Sequence, residues 1–364
     1  MKSAIKGSHH PITQTRNPDE SFGGDAAAWT RFYDGRRVLV TGGMGFIGSN
    51  LVIALVRAGA RVTVADAQVP GCGWHPANLE PVRHQIELSS ADLGDAEKMR
   101  PLIAGQQAIF NLAGEISHIN SMTNPSRDLA INCAAQVRFL DLCRAENPRA
   151  TIVYASSRQV YGRPKYLPVD EHHPVNPVDY NGVHKHATEH YHFLLRQQFG
   201  MRTICLRLGN TYGPRQAIHR DCRGFIDTFI RKALAGEQIV VYGDGTQLRG
   251  MNYVDDVVDA FLRAGRAGPG TSAAYNVGHP SPVSLGQIAE TLCRMAGSSP
   301  PRMVPFPPER RVIDIGDFYP NPEKFSREFG WAPRVGLEDG LRNTLEFFRS
   351  EAHQRLHADS HPVS

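Results

Sequence analysis

A short apolar run enters a turn of three evenly spaced glycines, and an apolar-periodic segment follows the turn. The run covers 37–41 and the periodic segment covers 46–58. A strand that feeds a glycine turn at a helix N-terminus leaves backbone N–H groups facing outward, where a pyrophosphate can bind. The pattern therefore predicts a strand, a turn and a helix that bind a dinucleotide. The residues expected to contact that cofactor are Gly42, Gly45, Phe46, Ile47 and Gly48.

A carboxylate follows the next predicted strand and completes a βαβ unit. The strand covers 61–65, and Asp66 lies 18 residues beyond Gly48. At about that distance a carboxylate accepts a hydrogen bond from the adenosine ribose 2′-hydroxyl and repels a 2′-phosphate. The sequence therefore favours NAD over NADP as the cofactor.

Strand-like and helix-like segments alternate from residue 36 to about residue 208, which is typical of a doubly wound parallel sheet. The strand candidates are 37–41, 61–65, 84–88, 107–111, 150–155 and 202–208, and the helix candidates are 46–58, 95–104, 127–146 and 181–199. Beyond residue 210 the helices shorten and loops rich in Gly and Pro become frequent. We predict an α/β fold with a Rossmann sheet and a smaller, interleaved C-terminal substrate-binding domain.

Domain boundaries follow from these changes along the chain. The first segment is polar and has no apolar core, so we expect it to be a flexible extension, with a short helix near Ala26–Tyr33 as one option. The predicted divisions are an extension over 1–35, a Rossmann domain over 36–208 with a return segment at about 249–275, a cap over 209–248 and 276–350, and a tail over 351–364.

Composition narrows the classes of partner and compartment. Lys and Arg total 40 against 36 Asp and Glu, and these charges are dispersed, which argues against a nucleic-acid-binding protein. The six cysteines have neither CxxC nor metal-type spacing, so we expect reduced thiols, no metal site and a cytoplasmic location. No apolar run approaches transmembrane length, so a membrane partner is not expected.

Further cofactor contacts are predicted after the third and fourth strands. Asp92 and Leu93 follow the third strand, where a carboxylate could contact the adenine amino group. The fourth strand ends in Asn-Leu-Ala-Gly, whose small residues, including Ala113, let a backbone pass close to a bound cofactor. Asn132 lies on the long helix candidate that follows. We assign these four residues to the cofactor site.

Seven motifs then follow one another between residue 36 and about residue 348: TGGxGFIG, NLAG, SSxxVYG, a lysine-bearing helix, RxxNxYGPR, VYGDG and YNVG. This order resembles the extended short-chain dehydrogenase/reductase family. Within that family the chain is similar to the nucleotide-sugar epimerases and dehydratases of the UDP-galactose 4-epimerase type. The resemblance implies that NAD stays bound, that a sugar hydroxyl is oxidised to a ketone, and that the hydride later returns.

The resemblance also implies roles for individual residues. Ser157 would hydrogen-bond the reacting sugar oxygen, and Lys185 would hold the nicotinamide ribose and lower the pKa of a catalytic tyrosine. Asn210, Arg249 and Arg311 would contact the nucleotide diphosphate, since guanidinium groups bind such oxygens bidentately. Each of these three could instead be a turn residue or a solvated charge.

One position departs from the family pattern Tyr-x-x-x-Lys. Asn181 lies four residues before Lys185, and Tyr180 lies five before it. On a helix a step of four leaves side chains about 40° apart, whereas a step of five separates them by about 140°. A distorted first turn could return the Tyr180 hydroxyl to the site, or His184, His118 or a sugar hydroxyl could handle the proton. Alternatively, the chain binds a nucleotide sugar without turning it over.

A second departure concerns reaction type. The 4,6-dehydratases of the family carry Asp-Glu where this chain has Arg158-Gln159, and neither residue titrates usefully for that chemistry. Ordinary dehydration is therefore not expected. Arg158 could instead contact an anionic substrate group, such as a uronate carboxylate, or form a salt bridge within the protein.

We predict an NAD-dependent nucleotide-sugar epimerase that acts at C4. The alternatives are a dehydratase or decarboxylase with non-standard acid–base residues, and a catalytically degenerate nucleotide-sugar binding protein. By resemblance to the family, the helices at 127–146 and 181–199 would pair with their copies in a homodimer, as a four-helix bundle.

Overall fold

The computed structural model describes residues 26–218, 224–268, 271, 273–311 and 314–350. The first 25 residues of the predicted extension and the predicted tail at 351–364 lie outside these ranges. The described ranges contain thirteen strands: β1 Arg37–Thr41, β2 Arg61–Ala65, β3 Ile86–Ser89, β4 Ala108–Asn111, β5 Thr151–Ser157, β6 Arg202–Leu208, β7 Asn210–Tyr212, β8 Val240–Tyr242, β9 Leu248–Arg249, β10 Met251–Tyr253, β11 Ala274–Val277, β12 Val283–Ser284 and β13 Arg302–Val304.

The same ranges contain thirteen α-helices. They are α1 Ala26–Tyr33, α2 Phe46–Arg57, α3 Ala96–Ile103, α4 His118–Thr123, α5 Pro125–Leu129, α6 Ala135–Glu146, α7 Tyr180–Phe199, α8 Phe225–Leu234, α9 Val254–Ala264, α10 Leu285–Ala296, α11 Pro308–Arg311, α12 Glu323–Phe329 and α13 Leu337–Arg349. A single π-helical turn, Ala130–Ala134, connects α5 to α6.

Seven of the strands form one sheet in the order β11-β6-β5-β4-β1-β2-β3, and every pair in it is parallel. The order reverses between β1 and β4, so the loops after these two strands diverge and leave a crevice at the carboxyl edge of the sheet. Helices cover both faces of the sheet, and β1 and β4 are therefore buried along almost their whole length. The predicted Rossmann sheet is confirmed.

A second hydrophobic core lies outside this sheet. It is formed by β7, β8 and β10 with the apolar faces of α8, α10 and α13. The fully buried side chains of this core include Tyr212 of β7 and Ile230 of α8. The chain returns to the first core in α9 and β11, as the interleaved arrangement requires. Phe325 of α12 and Trp331 also pack in the first core, although we had expected them in the cap.

The predicted flexible extension is wrong in its last part. α1 packs against the Rossmann core, with Trp29 and Tyr33 buried. The Tyr33 hydroxyl donates a hydrogen bond of 2.7 Å to the carbonyl of Leu262 in α9. Two aromatic side chains supply enough apolar area to hold this short helix in place.

The predicted helix at 127–146 is divided. α5 ends at Leu129, the π turn follows, and α6 begins at Ala135. Several apolar side chains remain exposed on this stretch and on α7, namely Leu129, Val137, Val183, Leu194 and Phe199. Among the described helices, none combines the length and hydropathy that a membrane span requires.

Candidate active site

A cavity of about 630 Å³ opens at the carboxyl edge of the sheet, where the strand order reverses. Its walls come from the loops after β1 to β5, from the π turn, from the first part of α7, and from the segment that connects β6 to α8. Open α/β sheets bind their ligands at this place. Most of the residues singled out from the sequence line this one cavity.

The glycine turn supplies the wall below β1. Gly42 has φ of +68°, and a side chain there would collide with the backbone of Ala113. A Cβ on Gly48 would lie 2.2 Å from the Gly42 carbonyl oxygen, so α2 packs directly on the turn. The cap of α2, Gly45, offers no side-chain acceptor, which leaves the positive helix end for an anion. This cradle fits the pyrophosphate of a dinucleotide.

Asp66 lines the cavity next to that turn. Its Oδ2 accepts a hydrogen bond of 2.9 Å from the amide of Met44, and its Oδ1 accepts one of 3.0 Å from the amide of Gln68. Burial raises the pKa of Asp66, and the two amides act in the opposite direction. The carboxylate therefore braces the glycine turn while it faces the position expected for the ribose.

Five more of the predicted cofactor residues line the cavity: Phe46, Ile47, Asp92, Leu93 and Ala113.

Asn132 does not line the cavity, and its predicted cofactor contact stays a prediction. Its amide donates 3.0 Å to the carbonyl of Glu115 and accepts 3.1 Å from the amide of the same residue. A Cβ on Gly114 would lie 2.7 Å from the Asn132 side-chain oxygen. Asn132 thus supports the cavity wall from behind.

Lys185 projects from α7 into the cavity. Its Nζ donates 3.2 Å to the carbonyl of Ala155 and lies 5.0 Å from the centre of the Tyr154 ring. Burial lowers the pKa of Lys185 to about 8, although the charges of Asp128, Glu189 and Glu115 act in the opposite direction. The lysine is therefore a cation that gives up its proton easily.

Ser157 ends β5 and also lines the cavity. Its hydroxyl oxygen accepts a hydrogen bond of 3.2 Å from the amide of Gln159, which caps the short helical turn that follows. The hydroxyl proton is not used by this contact, so Ser157 can still donate to a ligand. The structural and the ligand-binding interpretations of this residue are compatible.

α7 begins regularly, with Asp179 as its cap, and this decides the orientation of Tyr180. The Asp179 Oδ1 accepts 2.7 Å from the amide of Gly182. Tyr180 is 44% exposed, does not line the cavity, and stacks on His184 with the ring centres 6.3 Å apart. A distorted first turn that returns the phenol to the site is therefore wrong. Asn181, four residues before Lys185, lines the cavity instead.

Asn181 belongs to a buried polar network with residues from other segments. Its amide nitrogen donates 2.8 Å to the Glu115 carbonyl and 2.9 Å to Asp128 Oδ2, while its amide oxygen is buried without a partner among the described residues. His184 Nδ1 lies 2.7 Å from Asp128 Oδ1, and His184 does not line the cavity. The predicted catalytic role of His184 is wrong because Asp128 holds its ring away from the ligand space.

His118 is the histidine that does line the cavity. Its Nδ1 lies 2.6 Å from Asp179 Oδ2, and the Gln159 amide contacts its ring. Burial acts to raise the pKa of Asp179, but His118, the Gly182 amide and the charge of Arg158 outweigh burial and lower it. Asp179 is therefore an anion next to the imidazole.

Arg158 lines the cavity on the same side. Its guanidinium carbon lies 5.2 Å from the centre of the Phe318 ring, and its Nη1 is buried without a hydrogen-bond partner in the described ranges. Burial and the charge of Arg249 lower its pKa to about 9, against Asp179 and Asp314. Asn210 also lines the cavity, with a buried side-chain oxygen that lacks a described partner.

The other two predicted diphosphate arginines lie elsewhere. The Arg249 Nη1 donates 2.8 Å to the Leu248 carbonyl and 2.7 Å to the Gly316 carbonyl, and the residue does not line the cavity. Arg311 is exposed at the end of α11 and is also absent from the lining. Neither arginine lines the cavity, because the backbone holds one guanidinium group and solvent surrounds the other, and their diphosphate contacts stay predictions.

Sequence reasoning missed Glu115, Asp128 and Asp179, three carboxylates that lie behind the cavity wall and each contact a residue that lines it. Glu115 and Asp128 are almost completely buried, and Asp179 caps a helix. Only the cap left a local signal, because Asp at the start of a helical pattern is a common N-cap. The other two are brought to the site by packing between distant segments.

Residues 38–278 match the NAD dependent epimerase/dehydratase family. The chain is 33% identical over 324 residues to UDP-glucose 4-epimerase of Mycolicibacterium smegmatis, covering 87% of this chain and 99% of that protein. It is 32% identical over 329 residues to UDP-glucuronic acid decarboxylase 1 of Xenopus tropicalis, covering 87% of this chain and 73% of that protein.

Solved structures agree with this assignment. The UDP-glucose 4-epimerase of Thermus thermophilus in complex with NAD is 30% identical to this chain, with a TM-score of 0.77 over 86% of this chain and 99% of that one. The matched residues contain the glycine turn, Lys185 and the whole carboxyl edge of the central sheet. The chain therefore belongs to the NAD-dependent epimerase/dehydratase family.

Proposed function

We propose that this chain interconverts two nucleotide-diphosphate sugars that differ in configuration at C4. The observation that carries the proposal is the single cavity that joins the glycine turn and Asp66 to Ser157 and Lys185. One space can thus hold a dinucleotide and a sugar side by side. UDP-glucose 4-epimerases among the relatives support a UDP-sugar as the substrate.

NAD is the cofactor, and when bound it accepts a hydride from the sugar and returns it to the same carbon. Asp66 would hold the adenosine ribose, and Lys185 would hold the nicotinamide ribose. Ser157 would hydrogen-bond the reacting oxygen. A cationic Lys185 beside the positively charged oxidised nicotinamide would disfavour that form electrostatically and so favour its acceptance of a hydride.

The composition of the cavity argues against 4,6-dehydration. That reaction needs an acid to protonate the leaving hydroxyl and a base to take the C5 proton. Arg158 and Gln159 line the cavity where the family's Asp-Glu pair would stand, and neither can perform those transfers near neutral pH. Epimerisation needs no such pair.

A second candidate function is supported by Arg158. A buried guanidinium nitrogen without a partner is costly unless a ligand pairs with it. A uronate carboxylate would supply that partner bidentately, and a UDP-glucuronic acid decarboxylase is among the relatives. The substrate would then be a UDP-uronic acid, either epimerised at C4 or decarboxylated after oxidation.

The test is to incubate the purified full chain with UDP-, dTDP-, GDP- and CDP-sugars, including UDP-glucuronic acid, and to follow products by mass and proton NMR. A new sugar signal at unchanged mass, with deuterium retained from a C4-deuterated substrate, supports the epimerase. Loss of carbon dioxide supports the decarboxylase. If NAD stays bound and no sugar changes, the proposal is wrong and the chain is a binding protein.

We also propose that the chain forms a homodimer through a four-helix bundle of α6 and α7. Exposed Val137, Val183 and Leu194 lie on these helices, and water-exposed apolar side chains on paired helices favour association. Val183→Glu with Leu194→Glu should halve the mass measured by light scattering; an unchanged mass would contradict the bundle.

We further propose a cytoplasmic location. The five described cysteines are free, a state that a reducing compartment maintains. Localisation of a tagged full chain by microscopy would test it, and export of that chain from the cytoplasm would contradict it.

A further inference from the structure

The position of the family's tyrosine is occupied by Asn181, which cannot exchange a proton with a sugar hydroxyl. Oxidation of an alcohol to a ketone still requires that the hydroxyl proton be taken up. The ionisable side chains that line the described cavity are Asp66, Cys72, Asp92, Arg138, His118, Arg158, Lys185 and Asp227. The group that takes the proton must lie beside Ser157 and must belong to a residue type that ordinarily titrates near neutral pH.

Position or an assigned role excludes most of this group. Lys185 donates to the Ala155 carbonyl and is assigned to the nicotinamide ribose, so its Nζ is already engaged. Asp66 and Asp92 follow β2 and β3, on the far side of the glycine turn from Ser157. The Cys72 thiol donates to Glu115. His118 is different because its ring contacts Gln159, two residues after Ser157, and histidine is the side chain that ordinarily titrates between pH 5 and pH 8.

The environment of His118 is arranged in three parts. The Asp179 carboxylate uses Oδ1 to cap α7 and Oδ2 to hold His118 Nδ1 at 2.6 Å. The Asp179 side chain is 3% exposed, whereas that of His118 is 30% exposed. The anion is thus buried and fixed by its helix, and the imidazole lies between it and the cavity.

This geometry fixes the tautomer of the ring. A carboxylate at Nδ1 requires the proton on Nδ1, so the neutral imidazole keeps its lone pair on Nε2. The Gln159 amide nitrogen contacts both ring nitrogens. Because Asp179 holds Nδ1 and His118 lines the cavity, Nε2 is the nitrogen that is left to accept from a sugar hydroxyl.

We propose that His118 takes and returns the proton of the reacting sugar hydroxyl, with Asp179 as its positioning residue. The inference rests on the proposed epimerase function. The hydroxyl O–H bond breaks, its proton passes to Nε2, and its electron pair forms the carbon–oxygen double bond as the hydride leaves that carbon for the oxidised cofactor. Return of the hydride to the opposite face is balanced by return of the proton from Nε2.

Other charged or polar groups surround His118, which is the titratable residue of α4 itself. The charged or titratable groups on the elements and loops that meet α4 include Glu115, Arg127, Asp128, Arg158, Asp179, Tyr180, His184 and Lys185. Of these, Asp179 contacts the imidazole directly.

The first test is His118→Asn. The asparagine amide can still donate to Asp179 in the place of Nδ1, but it cannot accept a proton. With UDP-glucose and UDP-galactose as probes, we expect kcat to fall about 10²- to 10⁴-fold, the usual contribution of a positioned acid–base group. Binding of NAD and of UDP-glucose by calorimetry should stay unchanged. The matched control, His172→Asn, removes an exposed histidine outside the cavity and should leave kcat unchanged.

The second test is Asp179→Asn, which keeps a good N-cap for α7 and removes the negative charge. Loss of that charge removes the acceptor that keeps the proton on Nδ1 and the lone pair on Nε2. We expect kcat with UDP-glucose to fall about 10²- to 10⁴-fold, with KM unchanged. A purely structural role for Asp179 would lower the yield of folded protein and leave the kcat of the folded fraction unchanged.

A third measurement does not depend on turnover. Nitrogen-15 NMR of the wild-type chain should find the proton of the neutral His118 ring on Nδ1, and Asp179→Asn should lose that preference. A proton on Nε2 instead, or a wild-type kcat and pH profile in His118→Asn, would overturn the inference. Absence of epimerase activity in the wild type would refute the proposed function, and the NMR tautomer would still decide the arrangement at His118.

Discussion

Along one side of the cavity the glycine turn and the start of α2 present backbone atoms, whereas along the other the start of α7 presents side chains. Gly42, Gly45 and Gly48 allow close backbone approach because they have no side chain, and Asp66 adds a functional side chain there. Opposite them, His118 and Asp179 form their pair across 61 residues of chain. We therefore expect ligand binding or stability to be lost at the first surface when side-chain atoms are added, and at the second when side chains are removed.

The largest effect should come from removing a side chain behind the α7 surface. Arg207 binds Glu189 through two hydrogen bonds, of 2.9 Å and 2.7 Å, and both residues are buried. Arg207→Met leaves the buried carboxylate without its guanidinium partner, with Ser156 still donating to Oε1 at 2.6 Å. We expect this to cost about 3–5 kcal/mol of unfolding free energy in urea at pH 7. The exposed pair of Arg342 and Asp339 supplies the control, Arg342→Met, which should lose far less.

The pH dependence sharpens this prediction. Burial acts to raise the pKa of Glu189, but Arg207 outweighs it and lowers the pKa to about 2, from an ordinary 4.5. A lowered carboxyl pKa gives stability that is present above pH 4.5 and lost as pH falls toward 2. The difference between wild type and Arg207→Met should therefore shrink at pH 3. A difference that grows in acid would contradict this account.

The next effect should come from adding one methyl group to the turn. Gly48→Ala places a Cβ 2.2 Å from the Gly42 carbonyl oxygen, and a backbone atom cannot move aside as a flexible side chain can. We expect a loss of about 3 kcal/mol in stability, with NAD binding lost in calorimetry. Gly268→Ala, which meets no atom within 4 Å, is the matched control. Normal NAD affinity in Gly48→Ala would break the comparison.

A smaller and more selective effect is expected at Arg158. Arg158→Met removes the buried guanidinium that would pair with a carboxylate. We expect about tenfold weaker binding of UDP-glucuronic acid, near 1.4 kcal/mol, with UDP-glucose binding unchanged. Calorimetry with both ligands decides the matter, and an equal loss for both would show that Arg158 does not read a uronate.

The smallest effect is a slope in the stability curve. Burial holds the pKa of Lys185 at about 8, below its ordinary 10.5, so the unfolded chain binds the extra proton between these values. Wild-type stability contributed by this group should therefore rise with pH, by about 1 kcal/mol between pH 7 and pH 9. Lys185→Met should remove that part of the slope in urea titrations. An unchanged slope would place the Lys185 pKa near its ordinary value.

The sequence predicted best what depends on neighbouring residues. The strands β1, β2 and β6 agree with their predicted bounds to the residue, because each is a short buried run bounded by turn residues. The glycine turn was predicted for the same reason, since three-residue spacing and helix packing are local properties. Asp66 follows from its place at a strand end.

Prediction failed where distant segments decide a side chain's surroundings. Helix geometry correctly set Tyr180 off the face of Lys185, but only the regular cap at Asp179 excludes the distorted turn that would have returned it. His184 is a reasonable candidate from the sequence, but Asp128, from another helix, contacts its Nδ1. Arg249 donates to the carbonyl of Gly316, 67 residues further along the chain, and no local pattern encodes that contact.

Asn181 has a consequence at the level of the gene. Asparagine and tyrosine codons differ in one base, so a single point mutation would restore a tyrosine in register with Lys185. That mutation would forfeit two buried hydrogen bonds, to the Glu115 carbonyl and to Asp128. Asp128 would then keep only His184 as its described side-chain partner at this place. The family's usual tyrosine is thus one point mutation away, but it would remove two buried hydrogen bonds of Asn181.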